Sequence, residues 1–505
     1  MKKSVIALSV AAALGGLASI PASAQVPQAG DDLFFNPAGV GHILIVPYFT
    51  TQAGNSTKIN IYNTDTINGK ALKVRFRGAS NSDDVYDFQV FLSPGDVWTA
   101  SIDQNTSGLS TLTTSDKSCT VPSSVSGAFI TGRLNPNLTG DALANETREG
   151  YVEILNMGDV SSVVSTALFN AVKHKDGVAP CTRSILDSLA IYDTRLALPT
   201  SGLMANWIIV NVPNTTTFSG EAAAIEARTS LGVRTVGKNV YWPQRADSAT
   251  PINNTADPLF LTGAVTIAQY DLPDLSTPYT GTGNCPFCQA NRLSHSMSST
   301  RAAGEYLSDP GIGATTDWVV SMPTRRYYAA VDYDPADPDV DYDIVTNHDD
   351  FLISEAVYFR NANTQLGNAV NGGKEYQICT QVTSIGFWNR EEGSPLPDGP
   401  VISPGQPKQP PWLCGEVSVV GINSPVSPLG ASVARTNVTV AGFVDGWGNL
   451  QTLNTHTFNG TRNFGLPMLV WQFSKGLNPA AKPGVSGTYG VNFPGRIIDR
   501  GAEPE

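Results

Sequence analysis

A dense run of aspartates in the second half of the chain is the group of residues most open to chemistry. Its members recur every two or three residues: Asp332, Asp334, Asp337, Asp339, Asp341 and Asp343. Carboxylates this close repel one another unless a hard cation gathers them, and Ca²⁺ accepts oxygen ligands from a single loop. The spacing lacks the central glycine and the closing glutamate of an EF-hand. The run therefore predicts either a calcium site, with calcium as the only candidate cofactor, or a solvated acidic loop.

Six cysteines form the second reactive set, and an even number in an exported chain is typical of disulfides. We expect three pairs among the many that six cysteines allow: Cys119 with Cys181, Cys379 with Cys414, and Cys285 with Cys288. The second of these pairs would close a long hairpin loop.

The motif Cys285-Pro-Phe-Cys288 also fits a thiol redox centre, because a helix start lowers the pKa of the first thiol. No strand leads into the motif and no βαβ pattern surrounds it, which favours a disulfide. Covalent haem would need a histidine where the chain has Gln289. A zinc site would need a second pair of ligands, and only His295 lies within reach in the sequence.

The sequence identifies no catalytic residue. Its histidines are scattered, and none belongs to a metal-binding spacing: His42, His174, His295, His348 and His456. A nucleophile elbow, a phosphate-binding loop and a dinucleotide fingerprint are all absent from the sequence. His42 begins an apolar strand, which favours a structural role. An enzyme is therefore the less favoured class.

Four tryptophans are candidates for stacking against sugar rings: Trp318, Trp388, Trp412 and Trp447. Large aromatic side chains more often pack in a core, and spacing alone does not separate the two roles. Paired carboxylates for glycoside hydrolysis cannot be chosen from the sequence either, because that reaction is defined by the distance between the two groups.

The elements that would position these residues are mostly strands. Residues 58–63 and 72–77 alternate apolar and polar side chains, and turn residues such as Asn68-Gly69 separate such segments. This pattern predicts antiparallel β-sandwich-like domains with short helical insertions. Predicted strands include Ala128–Thr131, Tyr151–Leu155, Trp207–Val212, Asp317–Met322, Glu355–Phe359, Val417–Ile422, Val438–Phe443 and Met468–Phe473.

Helical spacing of apolar residues predicts three insertions, at Ser161–Lys173, Ser184–Ile191 and the Ala-rich Glu221–Arg228. Pro273–Ser308 and Gly393–Pro411 are predicted to be loops. We expect two β-rich domains, residues 25–255 with the helical insertions and residues 256–505.

The first 24 residues are typical of a cleavable signal peptide. Lys2 and Lys3 precede the apolar stretch Val5–Leu17, and Pro21-Ala-Ser-Ala24 supplies a small-residue cleavage site. The apolar stretch is shorter than the about 20 residues that a membrane anchor needs. No later segment is apolar for long enough to span a bilayer. The chain is therefore expected to be exported, to the cell surface or medium or alternatively to the periplasm.

Charged residues make up only 15% of the chain, and its net charge is −12. Nucleic acids and anionic lipids are recognised by clustered Lys and Arg, so both are disfavoured as partners. Self-association or other cell-surface components are the expected partners.

The chain resembles a group of exported Gram-negative bacterial proteins usually labelled hypothetical or cell-surface protein. The segments that carry the resemblance are Leu33–Phe49, Val74–Asp84, Phe91–Trp98, Thr147–Ile154, Asp317–Arg325 and Phe464–Pro467. They span most of the chain beyond the signal, which implies one shared architecture and a surface location. The group has no established activity, so the resemblance implies no catalytic residues.

Two functions fit these observations. The first is a secreted or cell-surface structural or interaction protein, such as a surface-layer or extracellular-matrix component of the cell envelope. The alternative is a secreted protein that binds or degrades polysaccharide. Flat self-complementary faces would favour the first, and a cleft with two facing carboxylates would favour an enzyme.

Overall fold

The structure is a computed structural model that describes residues 29–244, 273–281, 286–333, 342–346, 358–359, 363–393, 411–440, 442–452, 465–478 and 487–498. It describes only the backbone of residues 286–288, 332, 343–346 and 498. The predicted signal segment and the predicted boundary at residues 255/256 lie outside these ranges. Strands make up 46% of the structure and helices 9%, which confirms the mostly β class.

The largest sheet has seven antiparallel strands. In spatial order they are β1 (Asp32–Asn36), β13 (Ala223–Arg228), β2 (Ile43–Thr50), β10 (Glu149–Val160), β4 (Gly69–Gly78), β5 (Asp84–Leu92) and β8 (Cys119–Val121). Every residue of β2, β4 and β10 is buried. The basic side chains that alternate with apolar ones on β4 are therefore inside the protein.

A six-stranded antiparallel sheet covers the apolar face of the first. Its strands are β12 (Thr216–Glu221), β11 (Leu203–Asn211), β3 (Asn55–Asn63), β6 (Val97–Gln104), β7 (Ser110–Thr113) and β9 (Gly127–Ala128). Phe88 on β5 and Trp98 on β6 pack with ring centroids 5.4 Å apart. Alternate residues of β11 are buried, as expected for a strand with one face on a core. The two sheets form a sandwich.

Two further sheets form the second half of the protein. The five-stranded sheet contains β24 (Arg435–Val438), β23 (Val417–Ile422), β16 (Thr315–Ser321), β27 (Leu469–Leu477) and β28 (Thr488–Pro494). The four-stranded sheet contains β21 (Ser384–Trp388), β25 (Asp445–Gln451), β15 (Arg301–Leu307) and β29 (Arg496–Ile498). All pairs are antiparallel except β23 with β24. The Trp318 ring lies 6.0 Å from that of Phe387 and packs one sheet on the other.

The remaining elements are short. Three small antiparallel sheets pair β14 (Ser298–Ser299) with β26 (Leu466–Pro467), β17 (Ala329–Asp332) with β18 (Asp343–Thr346), and β20 (Ile378–Gln381) with both β19 (Thr364–Leu366) and β22 (Trp412–Cys414). The helices are α1 (Gly140–Asn145), α2 (Thr166–Val172), α3 (Arg183–Leu186) and α4 (Pro286–Met297), with 3₁₀ turns at Gln52–Gly54, Pro310–Ile312 and Arg325–Tyr327.

The loop between β4 and β5 joins the two halves. The Val417 amide donates to the Ala79 carbonyl at 3.1 Å, and the Glu416 amide donates to the Ser80 carbonyl at 3.0 Å. The Asn81 side chain accepts from the Ile378 amide at 3.1 Å. One cluster of buried apolar side chains contains residues of both halves. The loop therefore holds the first half against the start of β23 and of β20.

Five sequence predictions differ from the structure. Of the predicted strand Ala128–Thr131, only Ala128 belongs to a strand, β9. Tyr358 and Phe359, the described end of the predicted strand Glu355–Phe359, form a bend. Glu221–Arg228, predicted as a helix, ends β12 and forms β13, because pairing with β1 and β2 overrides the helix propensity of alanine. Pro273–Ser308, predicted as a loop, contains α4, β14 and the whole of β15. The strand predicted at Val438–Phe443 is wrong beyond Val438, where β24 ends. Residues 394–410, within the predicted loop Gly393–Pro411, lie outside the described residues.

Candidate functional site

The aspartate run is described only at its two ends. Asp332 ends β17 and Asp343 begins β18, and their Cα atoms are direct partners across this two-stranded sheet. The pairing brings the two ends of the run together. Asp334, Asp337, Asp339 and Asp341 lie outside the described residues. Among the side chains that are described, no three His, Cys, Asp or Glu residues gather as a metal site, and calcium stays a prediction.

Two disulfides occupy the positions proposed from the sequence. Cys119 at the start of β8 bonds Cys181, which precedes α3. Cys379 and Cys414 are direct cross-strand partners on β20 and β22. Cys285 and the side chain of Cys288 lie outside the described residues. Disulfides persist in oxidising compartments, so the two bonds are compatible with an exported protein.

The histidines described in the structure form no catalytic group. His42 is fully buried, and its Nδ1 accepts a hydrogen bond from the Ala227 amide at 3.2 Å. Burial lowers the pKa of His42 to about 3, so the imidazole is neutral at physiological pH. His174 Nδ1 lies 2.9 Å from the Ser93 hydroxyl and 3.3 Å from the Asp96 carboxylate, with its side chain largely covered. Both residues hold strands and loops together.

The tryptophans separate into core and surface residues. Trp318 is 2% exposed, and its Nε1 donates to the Glu305 carbonyl at 2.9 Å. Trp412 is half-buried at the start of β22. Trp388 and Trp447 instead stack on each other at the surface, with ring centroids 4.3 Å apart and an interplanar angle of 13°. Trp447 is 42% exposed.

Strand register creates the stacked pair. Trp388, the last residue of β21, is the direct cross-strand partner of Trp447 on β25. The Trp388 ring also extends over Gly386, where a Cβ atom would lie 2.8 Å from the ring. Glycine at this position gives the indole room to lie along the sheet instead of standing away from it. The stacked pair therefore lies on the outside of the four-stranded sheet, with Trp447 as the more exposed of the two rings.

Polar side chains continue this outer face across the sheet. Glu305 on β15 is the direct partner of Trp447, and Asn449 lies two residues further along β25. We call this surface the tryptophan face, and its members are Ser384, Trp388, Trp447, Asn449, Gln451, Arg301, Glu305 and Arg496. Their neighbours along the strands, such as Phe387 and Tyr306, are buried on the opposite side.

Two buried polar atoms on the tryptophan face have no hydrogen-bond partner among the described residues. Asn449 is 5% exposed, and its Oδ1 has no hydrogen-bond partner among the described residues. The Nε of Arg301 is also buried without a described partner. At the margin of the face, Arg390 pairs with Asp445 at 2.5 Å. Buried polar atoms normally find partners, and these two, which are closed off from solvent, have none among the described residues.

A second polar cluster is enclosed between the two halves. Arg75 pairs with Asp84 at 2.9 Å, while Arg326 lies 3.2 Å from Glu153 and 3.3 Å from Asp274. Burial raises the pKa of Asp274, but the neighbouring arginines outweigh it and hold that pKa below its usual range. Every one of these side chains is buried. The cluster therefore joins the halves and offers no access to a substrate.

A groove of about 420 Å³ follows the contact between the halves, near β12 and β27. Trp471, Phe35 and Pro37 line it together with the backbone of residues 219–224. The Asn492 side chain donates to the Ser219 carbonyl at 2.7 Å and accepts from its amide at 3.0 Å, which closes one side of the groove. The groove is lined mostly by small and apolar residues and contains no pair of facing carboxylates.

The sequence analysis named Trp388 and Trp447 but missed the polar members of the face. Glu305, Asn449, Arg301 and Arg496 lie on three strands distant in sequence, so no local motif connects them. Their alternation with buried residues was the only available signal.

No helix among the described residues combines the length and the apolar character that crossing a membrane requires. No protein-family model, no curated protein and no solved structure matches the chain.

Proposed function

We propose that this chain is an exported cell-surface interaction protein that binds polysaccharide through the tryptophan face. The observation that carries the proposal is the stacked Trp388–Trp447 pair, exposed on the outside of the four-stranded sheet. An indole offers a broad apolar surface with a polar edge, which suits the apolar face and the hydroxyl rim of a sugar ring. Large aromatic side chains are usually buried in the core, as Trp318 is.

The polar members of the face fit the same ligand. Glu305 and Gln451 supply acceptors and donors beside the aromatic surface, and hydroxyl groups of a sugar can satisfy either. Trp447, Glu305 and Arg496 are the exposed members of the face, and they lie on three neighbouring strands. A hydrolase would need two carboxylates facing each other across the scissile bond. Glu305 is the only carboxylate among the named members of the tryptophan face, and Asp445, on the same side of β25, is paired with Arg390, which favours binding over cleavage.

Affinity electrophoresis of the purified protein through gels containing neutral and acidic polysaccharides tests the proposal. We expect at least one polymer to retard the protein, and Trp447→Ala to weaken that binding at least tenfold, which corresponds to about 1.4 kcal/mol. Tyr489→Ala is the matched control, because Tyr489 is an aromatic residue of similar exposure (47%) on β28, away from the face. Equal retardation of both variants and the unaltered protein would contradict the proposal.

Self-association is the second candidate, since an exposed apolar stripe supports it. Tyr489, Val491 and Phe493 alternate along β28, the last strand of the five-stranded sheet, and each is at least 39% exposed. A row of exposed apolar side chains favours contact with another chain. This would suit a surface-layer or matrix component. Sedimentation velocity should show concentration-dependent assembly that Val491→Lys suppresses, and a monomer at all concentrations would exclude it.

A further inference from the structure

Two arginines on the tryptophan face have no carboxylate partner. Arg301 and Arg496 lie on the adjacent strands β15 and β29, and neither forms an ion pair with any described residue. Arg390, by contrast, is neutralised by Asp445. Arginine side chains usually pair with carboxylates when these are near, because the guanidinium group binds two oxygens at once. The face therefore carries two guanidinium groups without a described carboxylate partner, of which Arg496 is exposed and Arg301 partly exposed.

The strand register fixes how far these arginines are from the aromatic pair. Arg496 is the partner of Ala303, which places it two strands across and two residues along from Trp447. Strands lie about 4.8 Å apart and rise about 3.4 Å per residue, so the two Cα atoms are about 12 Å apart. Arg301 is one strand across and four residues along, at about 14 Å. Both distances suit contacts with neighbouring units of a polymer stacked on Trp447.

The position of Glu305 restricts where the anionic groups of a bound polymer can lie. This exposed carboxylate lies beside Trp447 and repels negative charge there. A charged polymer bound to the face must therefore place its anionic groups away from the aromatic pair, towards Arg301 and Arg496.

From this arrangement we infer that the tryptophan face selects polysaccharides that carry carboxylate groups, with Arg301 and Arg496 binding the carboxylates of sugar units next to the one stacked on Trp447. The inference rests on the proposed polysaccharide binding and adds the class of polymer. Its charge selectivity is local, because the chain as a whole carries a net charge of −12. A neutral polymer would leave both guanidinium groups without anionic partners.

Polygalacturonate and its methyl ester provide a matched pair of probes, because they share a backbone and differ in carboxylate charge. We expect the acid form to bind at least tenfold more tightly than the ester in dilute buffer. The preference should fall as salt is added, because charges at an exposed face are screened within about 10 Å at 0.1 M ionic strength. The double variant Arg301→Gln/Arg496→Gln should bring the ratio of the two affinities towards one.

Two single variants sharpen the test. Arg496→Gln alters an exposed side chain without an ion pair among the described residues, and should reduce the preference without changing the melting temperature. Glu305→Gln should increase the affinity for the acid form, because it removes the repelling charge. Arg183→Gln, on α3, is the matched control and should leave the ratio unchanged.

The possible outcomes distinguish a failure of the inferred carboxylate selectivity from a failure of the proposed polysaccharide binding. If acid and ester bind equally and Trp447→Ala weakens both, the protein binds polysaccharide but the role of the arginines is wrong. If neither form binds and neutral polymers also fail, both the inference and the proposed function are wrong. If Arg183→Gln changes the ratio as much as Arg496→Gln, the preference reflects total charge, and the inference is overturned.

Discussion

Replacing Asp83 by asparagine should make the protein less sensitive to pH. Asp83 lies in the loop that joins the two halves and is 2% exposed. Tyr333 donates a hydrogen bond to its Oδ2 at 2.9 Å, while Oδ1 has no partner among the described residues. The pKa of Asp83 is raised to about 8, mainly by burial and also by the nearby Glu146 carboxylate. The hydrogen bond from Tyr333 acts in the opposite direction. Asp83 is therefore protonated in the folded protein at neutral pH.

The sign of the effect follows from proton binding. The unfolded chain releases the Asp83 proton near pH 4, whereas the folded protein keeps it up to about pH 8. Because the folded state binds more protons in this window, the free energy of unfolding falls as pH rises through it. The loss is at most about 1.4 kcal/mol per pH unit. Between pH 5 and pH 7 this one group contributes a loss of up to roughly 3 kcal/mol.

Urea denaturation at pH 5, 6 and 7 measures this difference. Asparagine cannot ionise, and its amide oxygen can still accept the Tyr333 hydrogen bond. The stability of Asp83→Asn relative to the unaltered protein should therefore increase from pH 5 to pH 7. Asp176→Asn, at an exposed turn, is the control, and its free energy of unfolding should change with pH as that of the unaltered protein does. If the free energy of unfolding of Asp83→Asn also follows that of the unaltered protein at all three pH values, the reasoning about Asp83 is refuted.

Three further predictions concern the disulfide between Cys379 and Cys414, the core residue Trp318 and the aspartate run. Replacing Cys379 and Cys414 by serine opens a disulfide that spans 35 residues, so denaturant titration should show a loss of about 4 kcal/mol. Trp318→Ala should cost about 3 to 5 kcal/mol in the same assay because it empties a buried site; a loss under 1 kcal/mol would contradict its place in the core. If the run between Asp332 and Asp343 holds calcium, EDTA should lower the melting temperature and added Ca²⁺ should restore it, and equal melting curves would indicate a solvated loop.

The class of fold could be predicted because sheet signals are local. Alternating residues 72–77 identify a strand whatever lies around it, and β4 spans them. The surroundings of that strand could not be predicted. Lys73, Arg75 and Arg77 would suit a solvated face, yet they are buried and paired with acidic groups on β5 and β10. These partners lie on other strands, so the pattern of a single strand does not reveal them.

At Glu221–Arg228 the local sequence signal itself was misleading, because it predicted a helix where the structure has a strand. Alanine favours helices in isolation, but Ala224 and Ala227 are buried on a strand that lies between β1 and β2. Small side chains let neighbouring layers approach closely, so the same residues satisfy a crowded sheet. Tertiary packing decided the outcome, and it depends on two strands almost 200 residues earlier.

The tryptophan face depends on the same kind of long-range information. Trp388 and Trp447 are separate in the sequence, and each could equally have packed inward as Trp318 does. A shift of one residue in the pairing of β21 with β25 would move either ring to the other side of the sheet. The observed register is held from the inside, where Phe387 packs on Trp318 and Gly448 leaves room for the Trp318 ring. Gly448→Leu should therefore disturb the stacked pair on the opposite surface, which the loss of exciton coupling between the two indoles in far-ultraviolet circular dichroism would report. An unchanged spectrum in a folded variant would show that the register of the face is set elsewhere.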